Sequence, residues 1–311
     1  MNGLRLLGAG YALPSRVLTN DDMTQFVETS DEWISSRTGI RQRYFCAEGE
    51  TATTLAIEAA RKALGDSGID GEEIGCVIAA TSSGEYVMPS TACSVHKALE
   101  LRAEIPVFDL GAACAGFLYA VDTARSLLIA HGKKYALVVG TEQMSSVLDM
   151  QDRNTCVLFG DGAGAAVFAL EEDAEYEYVC GTRGDMAIQV GGPCKTLAMT
   201  MEGQAVFRFA VSTIPATVEA LIAKGNVTLE DVDWVVCHQA NQRILDSSIR
   251  RLGVPAEKFY KNLDRFANTS AASIPLAIAE MKENGLLKAG QRVIMVGFGG
   301  GLTWAGIMMK A

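Results

Sequence analysis

One pattern of elements occurs twice along this chain, and that internal repeat constrains the fold more strongly than any other feature of the sequence. Each copy predicts a buried strand, then a strand, a small-residue turn and a helix, and then a further strand. The segments lie at residues 74–84, 108–132 and 133–142 in the first half and at 232–241, 261–285 and 290–301 in the second. Their separation is nearly constant at about 155 residues, which indicates duplication of one α/β unit. The alternation of strands and helices predicts mainly parallel, buried sheets, with two halves at residues 1–170 and 171–311.

The length and charge of the chain limit the classes of protein to which it can belong. At 311 residues it is long enough for two domains or one large duplicated domain. Hydrophobic residues make up 49% and charged residues 21%, as is typical of a globular protein. The net charge of −10 argues against nucleic-acid binding through a basic surface, although a local basic patch stays compatible with it.

The cysteines and histidines argue against a disulfide-stabilised fold and against a metal site. The eight cysteines include no Cys-x-x-Cys pair, and the chain has only three histidines. Zinc, thioredoxin-like and iron–sulfur sites are therefore poorly supplied with ligands. We expect no metal site, and mostly buried, unreactive thiols in a reducing compartment.

The sequence suggests neither a targeting signal nor a membrane segment. Residues 1–16 are interrupted by glycine and proline and predict a strand and a turn rather than a signal peptide. The longest uncharged run, residues 293–309, contains three consecutive glycines. It is also shorter than the roughly 20 apolar residues that a membrane span needs. We expect a soluble, cytoplasmic protein with no membrane partner.

Cys114 is the cysteine whose neighbouring residues suggest a catalytic role. It follows the strand PVFDL, is flanked by alanines and glycines, and opens a long helix. Small neighbours leave room for a substrate, and the exposed N–H groups of a helix N-terminus favour the nucleophilic thiolate. The alternative is that the small residues merely let a helix pack closely on a sheet. The local sequence leaves both roles open.

Two polar residues occupy comparable places in the second half. His238 ends the strand WVVCH, and open α/β folds place ligands at the carboxyl ends of strands. Asn268 lies in the turn that corresponds to the Cys114 turn, so Cys, His and Asn could converge on one site. A helix cap or a turn is the alternative role for Asn268.

Two glycine-rich runs stand out, FGDGAGAAVF and VGFGGGLTW. Neither matches the GxGxxG pattern of dinucleotide-binding folds or the spacing of a phosphate loop. We expect the first to be a tightly packed strand, and the second to bring its backbone close to a ligand or to another turn.

Six stretches together resemble β-ketoacyl-acyl-carrier-protein synthase III, a condensing-enzyme family with the thiolase fold. They are SDEWISSRTGIRQR, DLGAACAGF, DRNTCVLFGDGAGAA, CHQANQRI, NTSAASIP and FGGGLTW, and they occur in the family's order between residues 30 and 304. The resemblance implies two duplicated α/β halves in a layered αβαβα arrangement. It also implies a decarboxylative Claisen condensation of acetyl-CoA or another short acyl-CoA with malonyl-acyl-carrier protein, which initiates fatty-acid synthesis.

The same resemblance implies roles for the residues singled out above. Cys114 would take the acyl group from acyl-CoA as a thioester. The backbone N–H groups of Cys114 and Gly300 would hold the oxyanion. His238 and Asn268 would donate hydrogen bonds to the malonyl thioester oxygen as carbon dioxide leaves. CoA thioesters are substrates in this scheme, and no separate cofactor is implied.

Further residues match the family's CoA-binding motifs. Trp33 and Arg153 resemble the pair that sandwiches the adenine, although Trp33 by itself equally fits an aromatic residue on a surface helix. The other implied contacts, with the head group, the diphosphate and the pantetheine channel, are Arg37, Thr38, Gly203, Phe207 and Asn241.

Carrier-protein docking and dimerisation are also implied by the resemblance. The implied docking residues are Arg208, Arg243, Arg250 and Arg251. Such a patch suits an acidic carrier protein, and a solvated charged helix face is the alternative. The family often has an aromatic residue at the position of Met88, where it caps the acyl pocket across a homodimer. A flexible thioether there leaves the primer length open.

Other functions are compatible with parts of the sequence. A specialised acyltransferase of secondary metabolism would keep Cys114, His238 and Asn268 but change the acyl-CoA or the acceptor. A thiolase is disfavoured because no second cysteine lies near the C-terminal glycine loop. A cysteine hydrolase can also use Cys, His and Asn in this chain order, but the duplicated α/β pattern argues against it. A noncatalytic scaffold would be expected to have lost Cys114.

Overall fold

The computed structural model of the protein describes residues 2–191 and 198–311. The strands are β1 (Asn2–Ala12), β2 (Arg16–Thr19), β3 (Gln42–Phe45), β4 (Ile74–Ala80), β5 (Val107–Leu110), β6 (Tyr135–Glu142), β7 (Gly162–Glu172), β8 (Tyr176–Asp185), β9 (Ile188–Gln189), β10 (Thr200–Met201), β11 (Trp234–Cys237), β12 (Arg292–Gly299) and β13 (Gly301–Lys310). The α-helices are α1 (Asp31–Thr38), α2 (Ala52–Ser67), α3 (Thr91–Ala98), α4 (Gly116–His131), α5 (Gly203–Gly225), α6 (Gln242–Leu252), α7 (Leu263–Phe266) and α8 (Ser273–Glu283). A 3₁₀ turn precedes each of α4 and α8, at Ala113–Ala115 and Ser270–Ala272.

Two mixed sheets form the framework. The first has the order β1-β7-β6-β4-β5, in which β4 runs parallel to β5 and β6 while β7 runs antiparallel to β1 and β6. The second has the order β11-β12-β13-β8, in which β11 and β12 are parallel and the other pairs antiparallel. The prediction of mainly parallel sheets was therefore wrong. The reason is that β12 turns straight back into β13, and β7 follows β6 without an intervening α-helix.

Helices cover both sheets and also separate them. α2 and α3 pack on the outer face of the first sheet, and α5, with α6 against it, covers the outer face of the second. α4 and α8 lie between the two sheets and contact both. The layers therefore alternate helix, sheet, helix, sheet, helix, which confirms the predicted αβαβα fold. The first sheet uses strands that end by Glu172 and the second uses strands that begin at Tyr176, while a domain boundary at residue 170 stays a prediction.

The two copies of the repeat differ at one element. The first contains β4, β5, α4 and β6, and the second contains β11, α7, α8 and β12. A strand was expected over residues 261–266, and that prediction was wrong. Leu263 and Phe266 are buried at 0% and 6% exposure, and the Arg265 side chain between them is exposed. A spacing of three between buried side chains is helical rather than alternating, so the segment forms one helical turn.

α8 lies very close to the first sheet because two glycines leave room for it. A Cβ atom at Gly140 on β6 would lie 2.3 Å from the carbonyl oxygen of Ala271. A Cβ atom at Gly164 on β7 would lie 2.3 Å from the backbone nitrogen of Leu276. The expected tight packing of the FGDGAGAAVF strand is confirmed, and the contact fixes the turn before α8 against the end of β6.

Two helical stretches, Ala113–His131 and Gly203–Gly225, are long and apolar enough to cross a membrane by length and composition alone. Each is 44% buried within this fold. Core helices of soluble proteins share this property, so the two stretches are weak evidence for a membrane.

The cysteines are less uniformly buried than expected. Over the described parts of the chain all carry free thiols: Cys76, Cys156 and Cys237 are buried, Cys46 and Cys114 are half-buried, and Cys93 and Cys180 are exposed. The expectation of mostly buried thiols was therefore wrong for Cys93, on the outer side of α3, and for Cys180, on the edge strand β8. Cys194 lies outside the described residues.

Candidate active site

A cavity of about 390 Å³ brings the three candidate catalytic residues together. Its lining includes Cys114 from the turn after β5, His238 directly after β11, and Asn268 from the turn before α8. Much of the remaining lining is apolar, with Met144, Val147, Leu158, Phe159, Ile188, Val190, Met199, Met201, Val206, Phe207, Ile244 and Phe298. A thiol, an imidazole and an amide therefore face one largely apolar cavity, which suits an acyl chain.

The Cys114 turn has a constrained backbone. Ala113 has a φ of 46°, in the left-handed region that residues with a Cβ rarely adopt. The glycine loop presses on the same turn, because a Cβ atom at Gly299 would lie only 2.8 Å from the backbone nitrogen of Cys114. The Thr303 hydroxyl lies 3.2 Å from the Ala112 carbonyl oxygen and 3.0 Å from that of Gly300. The expected approach of the glycine loop to another turn is confirmed, and only glycine fits at position 299.

The thiol of Cys114 is neutral in this environment. Burial raises its pKa to about 12, the hydrogen bond to Ser270 opposes that shift, and the nearby Glu142 carboxylate adds to it. Burial and Glu142 therefore oppose the thiolate that the helix N-terminus was expected to favour, and the Cys114 pKa does not follow that expectation. α4 itself begins only at Gly116, after the 3₁₀ turn, and desolvation outweighs any helix dipole at Cys114.

His238 is also neutral. It is 2% exposed, and burial lowers its pKa to about 3. Its Nδ1 lies 2.7 Å from the Ser273 hydroxyl, and its backbone N–H donates to Val296 at 2.8 Å. The Phe298 ring meets the imidazole edge-on with 5.1 Å between centroids. These contacts hold the His238 ring in place, and its Nδ1 is hydrogen-bonded to Ser273. Protonation of the ring is unfavourable because the positive charge would be buried.

Asn268 is held by hydrogen bonds on several sides. Its Oδ1 accepts from the backbone N–H of Ser270 at 2.9 Å. Its own backbone N–H donates to Leu158 at 3.0 Å, and its carbonyl accepts from Gly160 at 3.0 Å. Because Oδ1 is occupied, the side-chain Nδ2 donors are the groups that it offers to the cavity. The bond to the Ser270 N–H two residues on is an Asx turn, so the alternative role of Asn268 as a turn residue is present here, and its catalytic role stays a prediction.

A buried acidic network behind the cavity was missed at the sequence level. Glu142, at the end of β6, is 0% exposed and accepts hydrogen bonds from Thr81, Ser82, Ser83 and Ser270. The Cys114 thiol donates to the Ser270 hydroxyl at 3.4 Å. An acidic residue that ends a largely apolar strand could have signalled this network.

The candidate adenine-binding residues meet at Trp33. The guanidinium carbons of Arg37 and Arg153 lie 4.6 Å and 4.7 Å from the centroid of the Trp33 ring. Arg153 also donates to the Glu28 carbonyl at 2.9 Å. A shallow polar groove beside them is lined by Phe26, Val27, Glu28 and residues 151–154. Trp33 thus lies on a surface helix, as its alternative role requires, and also in a cationic cluster.

The remaining candidate CoA contacts divide into two groups. Gly203, Phe207, Asn241 and Gly300 line the same cavity as Cys114. Asn241 also caps α6, and its Nδ2 donates to the Arg37 carbonyl at 3.1 Å. Thr38 is only 3% exposed, and its hydroxyl bonds within its own helix end. The structure therefore does not bring Thr38 to the surface.

The candidate docking and acyl-pocket residues lie outside the cavity. Arg208 on α5 and Arg243, Arg250 and Arg251 on α6 are all exposed, and these two helices pack against each other. Met88 is 84% exposed and follows exposed Tyr86 and Val87. Within one chain Met88 does not line the cavity, so its expected role across a dimer stays a prediction.

The described residues contain no group of three or more His, Cys, Asp or Glu side chains arranged to hold a metal ion.

Comparison with known proteins relates the whole chain to one group. The family described as 3-oxoacyl-[acyl-carrier-protein] synthase III matches residues 108–184, and its C-terminal counterpart matches residues 222–311. β-Ketoacyl-[acyl-carrier-protein] synthase III of Clostridium acetobutylicum is 43% identical over 324 residues, covering 100% of this chain and 99% of the relative.

Solved structures give the same result. The 3-oxoacyl-[acyl-carrier-protein] synthase III of Aquifex aeolicus VF5 has a TM-score of 0.94 at 39% identity, covering 99% of this chain and 100% of that chain. The priming β-ketosynthase of the R1128 polyketide biosynthetic pathway has a TM-score of 0.91 at 36% identity, covering 99% and 96%.

Proposed function

The chain belongs to the β-ketoacyl-[acyl-carrier-protein] synthase III family, and from this premise we propose how its own residues divide the reaction. Members of this family are acyltransferases that condense an acyl group with a carrier-bound malonyl group and so initiate fatty-acid synthesis. One observation carries the assignment. Cys114, His238 and Asn268, which lie far apart in the chain, line one cavity together with the glycine loop.

In the first half-reaction, Cys114 is the nucleophile. Its sulfur attacks the carbonyl carbon of an acyl-CoA, and CoA leaves as its thiol with the proton that Cys114 gives up, so that an acyl-cysteine remains. The negative charge that develops on the carbonyl oxygen is stabilised by the backbone N–H groups of Cys114 and Gly300. Their placement is supported by the contact between Gly299 and the Cys114 backbone, since preorganised donors are effective when they need not move during reaction.

In the second half-reaction, His238 and Asn268 are hydrogen-bond donors. Malonyl-carrier protein binds, carbon dioxide leaves, and the enolate oxygen accepts from His238 Nε2 and Asn268 Nδ2. The carbanion then attacks the acyl-cysteine. A neutral His238 suits this role because burial lowers its pKa to about 3. Its Nε2 carries the hydrogen when the Ser273 hydroxyl donates to Nδ1.

CoA binds in two places in this proposal. Its adenine stacks at Trp33 between the ring and Arg153, and Arg37 contacts the phosphates. The pantetheine arm passes Gly203, Phe207 and Asn241, which line the cavity. A direct contact with Thr38 is less well supported because that side chain is buried. CoA is a substrate here, and thiol, imidazole and amide supply the groups that the reaction needs without a further cofactor.

Carrier protein, dimer and compartment complete the proposal. Exposed Arg208, Arg243, Arg250 and Arg251 form the docking face for an acidic carrier protein. The exposed apolar segment ending at Met88 contacts a second copy of the chain and reaches that copy's acyl pocket. The free thiols of the described chain are compatible with the reducing cytoplasm.

The test of the nucleophile is mass spectrometry after incubation with acyl-CoA. We expect one acyl group per chain, mapped to Cys114, with acetyl-, longer-chain and branched acyl-CoAs compared for rate. Exposed Cys93 and Cys180 are internal controls and should stay unlabelled. Label on either of them, or no label at all, would contradict the proposal.

A second candidate function is the priming step of polyketide synthesis. It is favoured by the similarity to the priming β-ketosynthase of the R1128 pathway. The acyl-enzyme step would be shared, so the acceptor decides. Faster condensation with a malonyl-loaded polyketide carrier than with a fatty-acid carrier would support the second candidate.

A further inference from the structure

Glu142 is a buried carboxylate that the reaction scheme above does not use. It ends β6 directly behind the cavity and is 0% exposed. Burial raises its pKa, and hydrogen bonds from Ser83, Ser82 and Ser270 oppose that shift. Within the described residues no lysine or arginine forms an ion pair with it. A carboxylate buried without a cationic partner is costly to keep charged, which calls for an explanation.

A continuous line of hydrogen bonds joins this carboxylate to the thiol. Cys114 Sγ donates to Ser270 Oγ at 3.4 Å, and Ser270 Oγ donates to Glu142 Oε1 at 3.0 Å. An ionised carboxylate only accepts, so the Ser270 hydrogen points to Glu142 and its lone pair is left for the thiol hydrogen. The S–H bond of Cys114 therefore points to Ser270, and the O–H bond of Ser270 points to Glu142. A proton passed along this line moves from the sulfur to the carboxylate.

The Ser270 hydroxyl is held in place by its backbone. Ser270 has a φ of 50°, in the left-handed region that is uncommon for a residue with a Cβ. Its N–H donates to the Asn268 side chain. The adjacent Ala271 carbonyl lies against Gly140 of β6. The turn therefore keeps the hydroxyl between sulfur and carboxylate.

His238 is a poorer acceptor for the thiol proton. Its Nδ1 is engaged with Ser273, and an imidazolium in this buried position is disfavoured because burial lowers the His238 pKa. The hydrogen bond of the thiol goes to Ser270 instead.

We propose that Glu142 accepts the Cys114 proton through the Ser270 hydroxyl as the sulfur attacks an electrophilic carbon, which is the acyl-CoA carbonyl in the reaction. This rests on the proposed role of Cys114 as the nucleophile. Glu142 touches neither thiol nor substrate and is a positioning residue for the proton.

The step balances in atoms and charge. The S–H bond breaks as its proton passes to Ser270 Oγ, and the Ser270 proton passes to Glu142. The sulfur electron pair forms the C–S bond to the acyl carbonyl, and the C–S bond to CoA breaks. The proton on Glu142 returns through Ser270 to the departing CoA sulfur, which leaves as a thiol. After condensation, Cys114 is released as a thiolate and takes one proton from solvent, as decarboxylation of a malonyl thioester requires.

The charge distribution explains why a relay is useful. A thiolate next to an ionised Glu142 would place two negative charges in one buried site. Transfer of the proton between them keeps the site at one negative charge throughout. The titratable groups at this site are Cys114, His238 and Glu142. Glu142 raises the pKa of Cys114, so the protons of these two groups are coupled, and an observed pKa belongs to the pair.

The test is alkylation of Cys114 by iodoacetamide across pH in Glu142→Gln and Ser270→Ala. Alkylation reports the thiolate and needs no acyl-CoA. We expect both variants to react about 10²-fold more slowly at neutral pH, as for loss of a general base. The deficit should shrink at alkaline pH, where hydroxide removes the proton. Thr141→Val is the control, because it removes a buried hydroxyl on the same strand that donates to the Ala52 carbonyl and not to Glu142. It should react within about threefold of the parent.

Opposite results separate the proposal from a simple charge effect. If Glu142 only disfavours the thiolate by its charge, Glu142→Gln will react faster than the parent, and the relay is wrong. Ser270→Ala reacting at the parental rate would overturn it equally, and this variant retains the carboxylate if Glu142→Gln folds poorly. Acyl-CoA labelling of the parental chain on Cys114 tests the nucleophile separately, so failure of the relay and failure of the proposed function are distinguishable.

Discussion

The turn that carries Cys114 and the turn before α8 occupy corresponding places in the two halves of the molecule. Each has a residue in the left-handed region, with φ of 46° at Ala113 and 50° at Ser270. Each continues through a 3₁₀ turn into a helix of the central layer. Each also packs on a glycine of the other half, Gly299 for the first turn and Gly140 for the second. The backbones of the two regions are thus closely alike.

The polar and reactive side chains of the two turns differ. The first turn presents a thiol among small residues, whereas the second presents Asn268 and Ser270. The residue after the neighbouring strand is Thr81 in the first half and His238 in the second. One duplicated backbone therefore supports a thiol on one side of a cavity and hydrogen-bonding groups on the other. The repeat thus provides the backbone geometry of the cavity, and the chemistry comes from the residues that differ between its two copies.

The largest effect should come from removing the Cys114 thiol, which the second turn has no counterpart for. Cys114→Ala should lower acyl transfer by at least about 10⁴-fold, since loss of a nucleophile removes the covalent route. The measurement is β-ketoacyl product formation, with thermal unfolding to verify the fold. Cys93→Ala, which removes an exposed thiol, is the matched control and should keep parental activity. Retained transfer in Cys114→Ala would show that the turns do not differ as proposed.

The second-largest effect should show that residues of the second half act mainly in decarboxylation, and not in acylation of Cys114. His238→Ala or Asn268→Ala should slow decarboxylation of malonyl-carrier protein by about 10²- to 10³-fold, because a donor to the enolate oxygen is lost. Self-acylation of Cys114 should fall by less than about tenfold. Release of labelled carbon dioxide and mass labelling measure the two steps. Equal losses in both would argue against separate roles.

A pH effect on stability should distinguish His238 from its counterpart Thr81, which does not titrate. Burial lowers the His238 pKa to about 3 from 6.5. Below pH 6.5 the unfolded chain therefore binds a proton that the folded chain refuses, so stability falls as pH falls. His238→Gln should lose about 2 kcal/mol less unfolding free energy than the parent between pH 6.5 and 4.5. Denaturant unfolding at both pH values measures this difference. Exposed His131→Gln is the control, and it should follow the parent.

The smallest effect should come from the outer helices of the two halves. Arg243→Glu combined with Arg250→Glu on α6 should raise KM for carrier protein about tenfold at low salt, with less effect at high salt. Acylation by acyl-CoA should not change. Arg61→Glu combined with Lys62→Glu, at two exposed residues of α2, is the charge-matched control. If this control weakens carrier binding equally, net charge rather than a docking face is responsible.

Much of the architecture followed from the sequence because it depends on local pattern. The repeat predicted two α/β units, and small residues around Cys114 and Gly299 predicted close backbone approaches. The three candidate catalytic residues could be singled out because each lies where a strand ends or a helix begins. That position is a property of neighbouring residues in the chain.

What could not be predicted depends on contacts between distant segments. Whether β7 pairs antiparallel to β6 is decided by packing, not by its apolar run. The Cys114 pKa is raised by burial and by Glu142, which lies 28 positions further along the chain and reaches the thiol only through Ser270. The helix terminus is a local influence on this pKa, whereas burial and Glu142 act through distant segments and outweigh it.

Because residues of both halves wall the active-site cavity, a molecule bound there holds the two halves together. Cys114 comes from the first half, and His238, Asn268 and the glycine loop come from the second. Such a molecule binds the folded chain and not the unfolded one, so at a concentration of 100 Kd it stabilises the whole fold by about 2.7 kcal/mol. Thermal-shift screening is therefore a direct way to find inhibitors of this protein, including noncovalent ones that leave the thiol untouched.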